Sequence, residues 1–142
     1  MSAPWAITTA HSMPSGHAVH GTRKQSALEF LRLAAAGVPR EAFDSYVGPN
    51  FRHHNPYFPS DAESLIKGME KNAAQNPNKV LEVLRAIEDG DLVAVHARIR
   101  HDSNDPGWSV IHIFRFEDER IVELWDVGQE VKEKSPNELG MF

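Results

Sequence analysis

Two runs rich in β-branched and aromatic residues, Val110 to Phe116 and Ile121 to Val127, flank the acidic tetrapeptide Glu117-Asp118-Glu119-Arg120. This pattern reads as a β-hairpin, and it confines the end of the chain to a sheet. Each run carries one polar intruder, His112 in the first and Asp126 in the second. With a one-residue bulge near the turn, the register sets His112 opposite Asp126 on one face. An imidazole facing a carboxylate in an apolar wall is a candidate acid/base pair. The alternative is a structural pair in which each satisfies the other's hydrogen bonds.

Upstream, the period is helical. Arg23 to Ala36 places apolar residues at 27, 28, 31, 34 and 35 and stops at Gly37, with Thr22 as a plausible N-cap. Pro39 suits the first turn of a short second helix carrying Phe43, Tyr46 and Val47 and ending near Gly48-Pro49. Phe51 to Pro56 reads as a short strand halted by proline. Ser60, Asp61 and Glu63 open a third helix, with Leu65, Ile66 and Met69 on its buried side, which fades between Asn72 and Asn78. The period then turns to alternation, giving four strand candidates: 79–88, 92–100, 108–116 and 121–127. Helices first and strands after predict an α+β domain, a curved antiparallel sheet wrapped over three N-terminal helices with a pocket between them.

A chain of 142 residues, 41% of them hydrophobic, fits one domain, assigned to 22–142, preceded by a flexible arm over 1–21 that the domain does not need. His11, His17 and His20 in the arm are not expected to form a metal site. A net charge of −5 with scattered Lys and Arg argues against nucleic acid and anionic membrane as partners, and no run approaches a membrane span. The chain has no cysteine, which excludes disulfides, thiolate metal sites and a cysteine nucleophile and suits the cytoplasm. No motif cradles a nucleotide, flavin or phosphate, and the spacing of His53, His54, His96 and His112 is not that of a zinc site, so neither cofactor nor metal is expected. Strict alternation sets His96 with Arg98 and Arg100, away from Val93, Val95 and Ile99. Val83 and Ile87 suggest apolar surface beyond what three helices can cover, and hence a homodimer formed through the sheet.

Asn55-Pro56 after a histidine, the strand His112-Ile113-Phe114-Arg115-Phe116, the strand Ile121-Val122-Glu123-Leu124-Trp125-Asp126-Val127 and the closing Asn137 to Phe142 together resemble the SnoaL-like polyketide cyclases. Those belong to the nuclear-transport-factor-2-like, or cystatin-like, α+β barrels, and the likeness runs from about Thr22 to Phe142. The resemblance implies a reaction without cofactor, in the family an intramolecular aldol condensation of a small hydrophobic carbonyl compound. It gives Asp126 the acid/base role, His112 the assisting role, and Asn55 a place near the substrate. Val110, where the cyclases carry a polar residue, and Leu124, where many relatives have histidine, would then line the substrate together with Phe114, Trp125 and His54. Ketosteroid isomerases share this architecture, and their similarity implies a proton donor at the position of His112. His53 is assigned to the turn before Asn55-Pro56. Trp108, Trp125, Phe114, Phe116 and Tyr57 are either core or a substrate wall. Besides the cyclase, a binding protein that shelters a hydrophobic ligand, and an isomerase, dehydratase or hydrolase on the same scaffold, fit these residues.

Overall fold

The structure, a computed structural model, describes residues 21–142; the expectations placed on residues 1–20, including His11, His17 and His20, lie outside them. Helix α1 (Arg23–Ala35) starts at a capping box, in which Thr22 Oγ1 accepts from the Gln25 amide at 3.0 Å and Gln25 Oε1 accepts from the Thr22 amide at 2.9 Å. It ends where Gly37 takes a positive φ of 90°. Helix α2 (Pro39–Tyr46) follows at once. Helix α3 (Ala62–Gln75) is capped by Asp61, whose carboxylate accepts from the Ser64 amide at 2.8 Å.

The strands are β1 (Val47–His53), β2 (Val80–Asp89), β3 (Leu92–Arg100), β4 (Trp108–Glu117) and β5 (Arg120–Glu130), in the order β1-β5-β4-β3-β2. The α+β class holds, but the sheet is mixed. β1 begins directly after α2 and pairs parallel with β5, whereas the other neighbours are antiparallel. In the final hairpin the register shifts between Arg115 and Phe116, one step in from the turn, and beyond that shift His112 pairs with Asp126. The turn places Asp118 and Glu119 at φ 50° and 61° without a glycine. Arg23 secures it, donating to Glu119 from Nη2 at 2.8 Å and to the Gly90 carbonyl at 2.8 Å.

The core lies between the helices and the inner face of the sheet. Phe30, fully buried, meets Phe43 and Phe114 edge-on at 5.2 and 5.7 Å, and Phe43 meets Phe51 at 5.3 Å. Val83 belongs to this core, so it does not contribute to the exposed face expected from the sequence; Ile87, at 62% exposed, does. A bulge between Val83 and Arg85 changes which residues of β2 point outward. His96 lies on the outer face, as alternation requires, between Arg85 and the Ser109 hydroxyl and stacked with Phe142. Among the described residues no helix is long and apolar enough to cross a membrane.

Phe30→Ala removes the ring that joins α1 to both α2 and the sheet. Urea unfolding is expected to show a loss of about 3–5 kcal/mol. A loss below about 1 kcal/mol would mean that the aromatic cluster does not hold the helices in place.

Candidate active site

A cavity of about 220 Å³ opens between the inner face of the sheet and helices α1 and α3. Its middle is apolar, with Leu31, Leu65, Met69, Leu81 and Ile99 among the lining residues. Phe58 can pack over α3 because residue 68 is glycine: a Cβ there would stand 2.3 Å from the Phe58 ring.

One polar wall is built by β5 and its two neighbours. His53 pairs with Leu124 in the parallel ladder, and the His54 amide continues it to the Leu124 carbonyl at 3.0 Å. Two residues beyond His53, Asn55 therefore reaches Asp126, and its Nδ2 donates to Asp126 Oδ2 at 3.1 Å. The amide cannot turn over freely, since Asn55 Oδ1 accepts from the Tyr57 amide at 3.0 Å. His53, buried, accepts at Nδ1 from the Asn55 amide at 3.1 Å and donates from Nε2 to the Pro59 carbonyl at 2.6 Å. These two bonds fix the tautomer with the proton on Nε2 and pin the loop that carries Asn55 and Phe58.

On the other side of Asp126, His112 is 9% exposed and rests on Phe114 with ring centroids 6.2 Å apart. Among the described residues no hydrogen bond joins His112 to Asp126, and His112 Nδ1 is buried without a partner. Burial pushes the imidazole from its ordinary pKa of 6.5 down to about 4, against the opposing pull of the Asp126 charge. At neutral pH the ring is therefore uncharged. It can donate a hydrogen bond or accept one without first losing a proton.

Of the residues expected around a substrate, His112, Asp126, Asn55 and Leu124 line the cavity, whereas His54, Trp125, Val110 and Phe114 do not. Successive residues of a strand point to opposite faces, which sends Trp125 and His54 outward. There their rings stack at 5.0 Å, and His54 Nε2 lies 2.7 Å from Glu123, which Arg115 also holds. Phe114 shares the inner face with His112 but is fully buried beneath it, and Val110 packs beside the end of the sheet near Gly128. The supposed aromatic wall dissolves likewise: Phe114 and Phe116 are core, while Tyr57 is 84% exposed and Trp108 44%. His53 is the reverse case: assigned to a turn from the sequence, it ends β1 and lines the cavity. Its parity with Asn55, two residues away, was the available signal. Lys79 and Asn72, at the junction of α3 and β2, also line the cavity, and nothing in their local sequence pointed there. No group of three or more metal-ligating side chains occurs among the described residues.

Three helices on a mixed sheet are the fold shared with a solved nuclear-transport-factor-2-like protein of Cytophaga hutchinsonii ATCC 33406, 18% identical with a TM-score of 0.64, covering 80% of this chain and 95% of that one. Residues 27–124 match the SnoaL-like domain family, and the chain belongs to it. Solved structures share the fold at low identity. AclR of Streptomyces galilaeus, provisionally assigned as a hydroxylase, is 22% identical with a TM-score of 0.64, covering 75% of this chain and 88% of that one. A protein provisionally assigned as a SnoaL-like polyketide cyclase from Jannaschia sp. CCS1 is 16% identical with a TM-score of 0.63, covering 82% and 92%. Another provisionally assigned polyketide cyclase, from Bacillus cereus ATCC 10987, is 22% identical with a TM-score of 0.65, covering 75% and 74%. No curated protein matches the chain.

The depressed pKa of His112 has a consequence for stability. Between pH 6.5 and about 4 the unfolded chain binds a proton that the native imidazole refuses, so stability falls as pH falls through that window. His112→Gln removes this proton, and from pH 7 to 4.5 the variant is expected to lose about 2–3 kcal/mol less than the wild type in urea unfolding. Equal losses in the two proteins would show that His112 is not held neutral by burial.

Proposed function

We propose that this protein is a cofactor-independent acid/base enzyme of the SnoaL-like type, acting on a small, largely apolar carbonyl compound. The observation that carries the reading is the polar wall of the cavity. The Asp126 carboxyl is held at one oxygen by Asn55, and opposite it stands a buried neutral His112 whose Nδ1 has no partner among the described residues. A pair that existed only to satisfy itself would have closed that bond. In its carboxylate form Asp126 takes a proton from the carbon next to the carbonyl, using the oxygen that Asn55 leaves free. The oxygen anion that develops receives a hydrogen bond from His112, a donor already in place and needing no reorganisation. On a substrate with a second carbonyl within reach, the resulting carbanion attacks it and the alkoxide formed takes the proton back from Asp126, the step of an intramolecular aldol condensation; on other substrates return of that proton to a different atom gives isomerisation, and its delivery to a departing β-hydroxyl, lost as water, gives dehydration.

The second reading is a binding protein that shelters a hydrophobic ligand and performs no chemistry. It is favoured by the partial exposure of Asp126, which lets water reach that carboxylate. Proton exchange separates the two without knowledge of the natural substrate. In heavy water, wild-type protein is expected to speed deuterium incorporation next to the carbonyl of a tetralone, followed by proton NMR. Asp126→Asn keeps the shape and should lower that rate by about 10²–10⁴ with little change in tetralone affinity. His112→Ala should cost on the order of a hundredfold, and the double variant should be little worse than Asp126→Asn alone. Full exchange by Asp126→Asn would refute the assignment. Tight binding of tetralone with no exchange by wild type would establish the binding protein instead.

The same proposal includes a homodimer through the outer face of the sheet. Ile87, Ile111 and Val127 stand there 62%, 39% and 66% exposed on β2, β4 and β5, an apolar surface that the helices cannot reach. Light scattering at micromolar concentration is expected to give twice the chain mass, and Val127→Lys to give the single mass with unchanged unfolding of the monomer. A monomeric wild type would rule this out.

A further inference from the structure

Lys79 takes no part in the acid/base wall. It enters the cavity from the residue just before β2, the edge strand opposite β1, three strand positions away from Asp126 on β5. Its ammonium donates to the Asn72 side-chain oxygen on the last turns of α3. Among the described residues no acidic side chain pairs with it, and burial alone moves its pKa, downward. A lysine has a long flexible stem and can usually carry its charge out to water. Here Asn72 holds the head at the cavity, where desolvation of the charge is offset by one amide oxygen and two of its three N–H groups remain for another acceptor. The protein as a whole carries a net charge of −5, which repels anions; a local cation at a pocket therefore changes which ligands can enter.

We propose that Lys79 and Asn72 form an anion-recognising end of the cavity, so that the ligand is a small apolar carboxylic acid whose carboxylate pairs with the Lys79 ammonium. The apolar middle, with Leu31, Leu65 and Met69, takes its hydrocarbon body. The volume of about 220 Å³ lies below the roughly 300–1,000 Å³ of pockets for drug-sized ligands, which suits one or two fused rings. That the far end of such an acid presents a carbonyl to Asp126 and His112 rests on the acid/base reading; the recognition of the carboxylate does not.

Calorimetric titration with naphthoate and with naphthamide tests this, because the two differ in charge and scarcely in shape. Wild-type protein is expected to bind naphthoate at least about tenfold more tightly than naphthamide, a difference of 1.4 kcal/mol. In Lys79→Met, which keeps the stem and removes the charge, naphthoate should fall to the level of naphthamide while naphthamide is unaffected. Lys79→Gln serves as a second neutral variant if the first folds poorly. Asp126→Asn should retain the preference for naphthoate. Equal binding of the two compounds by wild type, binding of neither, or a preference that survives loss of the Lys79 charge would each overturn the proposal. Failure of Asp126→Asn to slow tetralone exchange would overturn only the acid/base reading.

Discussion

The position of β5 between two partners of opposite direction is the constraint on which the site depends. Its antiparallel register with β4 sets Asp126 against His112, and its parallel register with β1 sets Leu124 against His53, which delivers Asn55 to Asp126 two residues later. A slip of one residue on either side would turn Asp126 to the outer face or separate it from Asn55. The register shift between Arg115 and Phe116 fixes the first pairing, and the tight turn through Asp118 and Glu119 fixes where the hairpin closes. Two residues in the left-handed region cost energy that glycine would avoid. Arg23 at the start of α1 gives part of it back through Glu119, so the helix layer and the hairpin that carries Asp126 share one tie.

Around the cavity, polar groups are treated in two ways. His53 is fully satisfied, accepting from Asn55 and donating to Pro59, and so has no capacity left for a ligand. Among the described residues His112 Nδ1 has no partner, and Lys79 gives one of its three N–H groups to Asn72. An unmet buried polar atom costs about 1–3 kcal/mol, more when charged, and a core under selection for stability alone would lose it. The satisfied histidine builds the loop; His112 and Lys79 line the space that the loop helps to enclose.

Much of the architecture was legible because it is local. The N-cap before α1, the change from helical to alternating period, and the facing of His112 and Asp126 all follow from residues near one another in the chain. The parallel pairing of β1 was not, since Val47 to His53 gives no sign of which strand it will meet some seventy residues later. The same gap misplaced His54. Without the partner strand, the face on which Asn55 lies could not be assigned, although parity groups it with His53 and against His54. Trp125, next to Asp126 in sequence, was drawn into the site by adjacency and left it by alternation. Lys79 and Asn72 reach the cavity through the packing of α3 over the far edge of the sheet, which no short window encodes.

On the acid/base reading, the burial of His112 does more than dry the site. An imidazolium opposite Asp126 would be drawn to the carboxylate, and the two would close into an ion pair with neither group available. By holding the ring neutral down to about pH 4, the packing against Phe114 leaves the negative charge of Asp126 without a cation across the hairpin. Among the described residues the carboxyl's hydrogen-bond partner is then the Asn55 amide, which orients it while neutralising nothing. A base and a donor can stand on adjacent strands at one pH because only one of them is charged. The cation that an acidic ligand would need is kept instead at the opposite edge of the sheet, on Lys79, where it can attract the ligand without quenching the base.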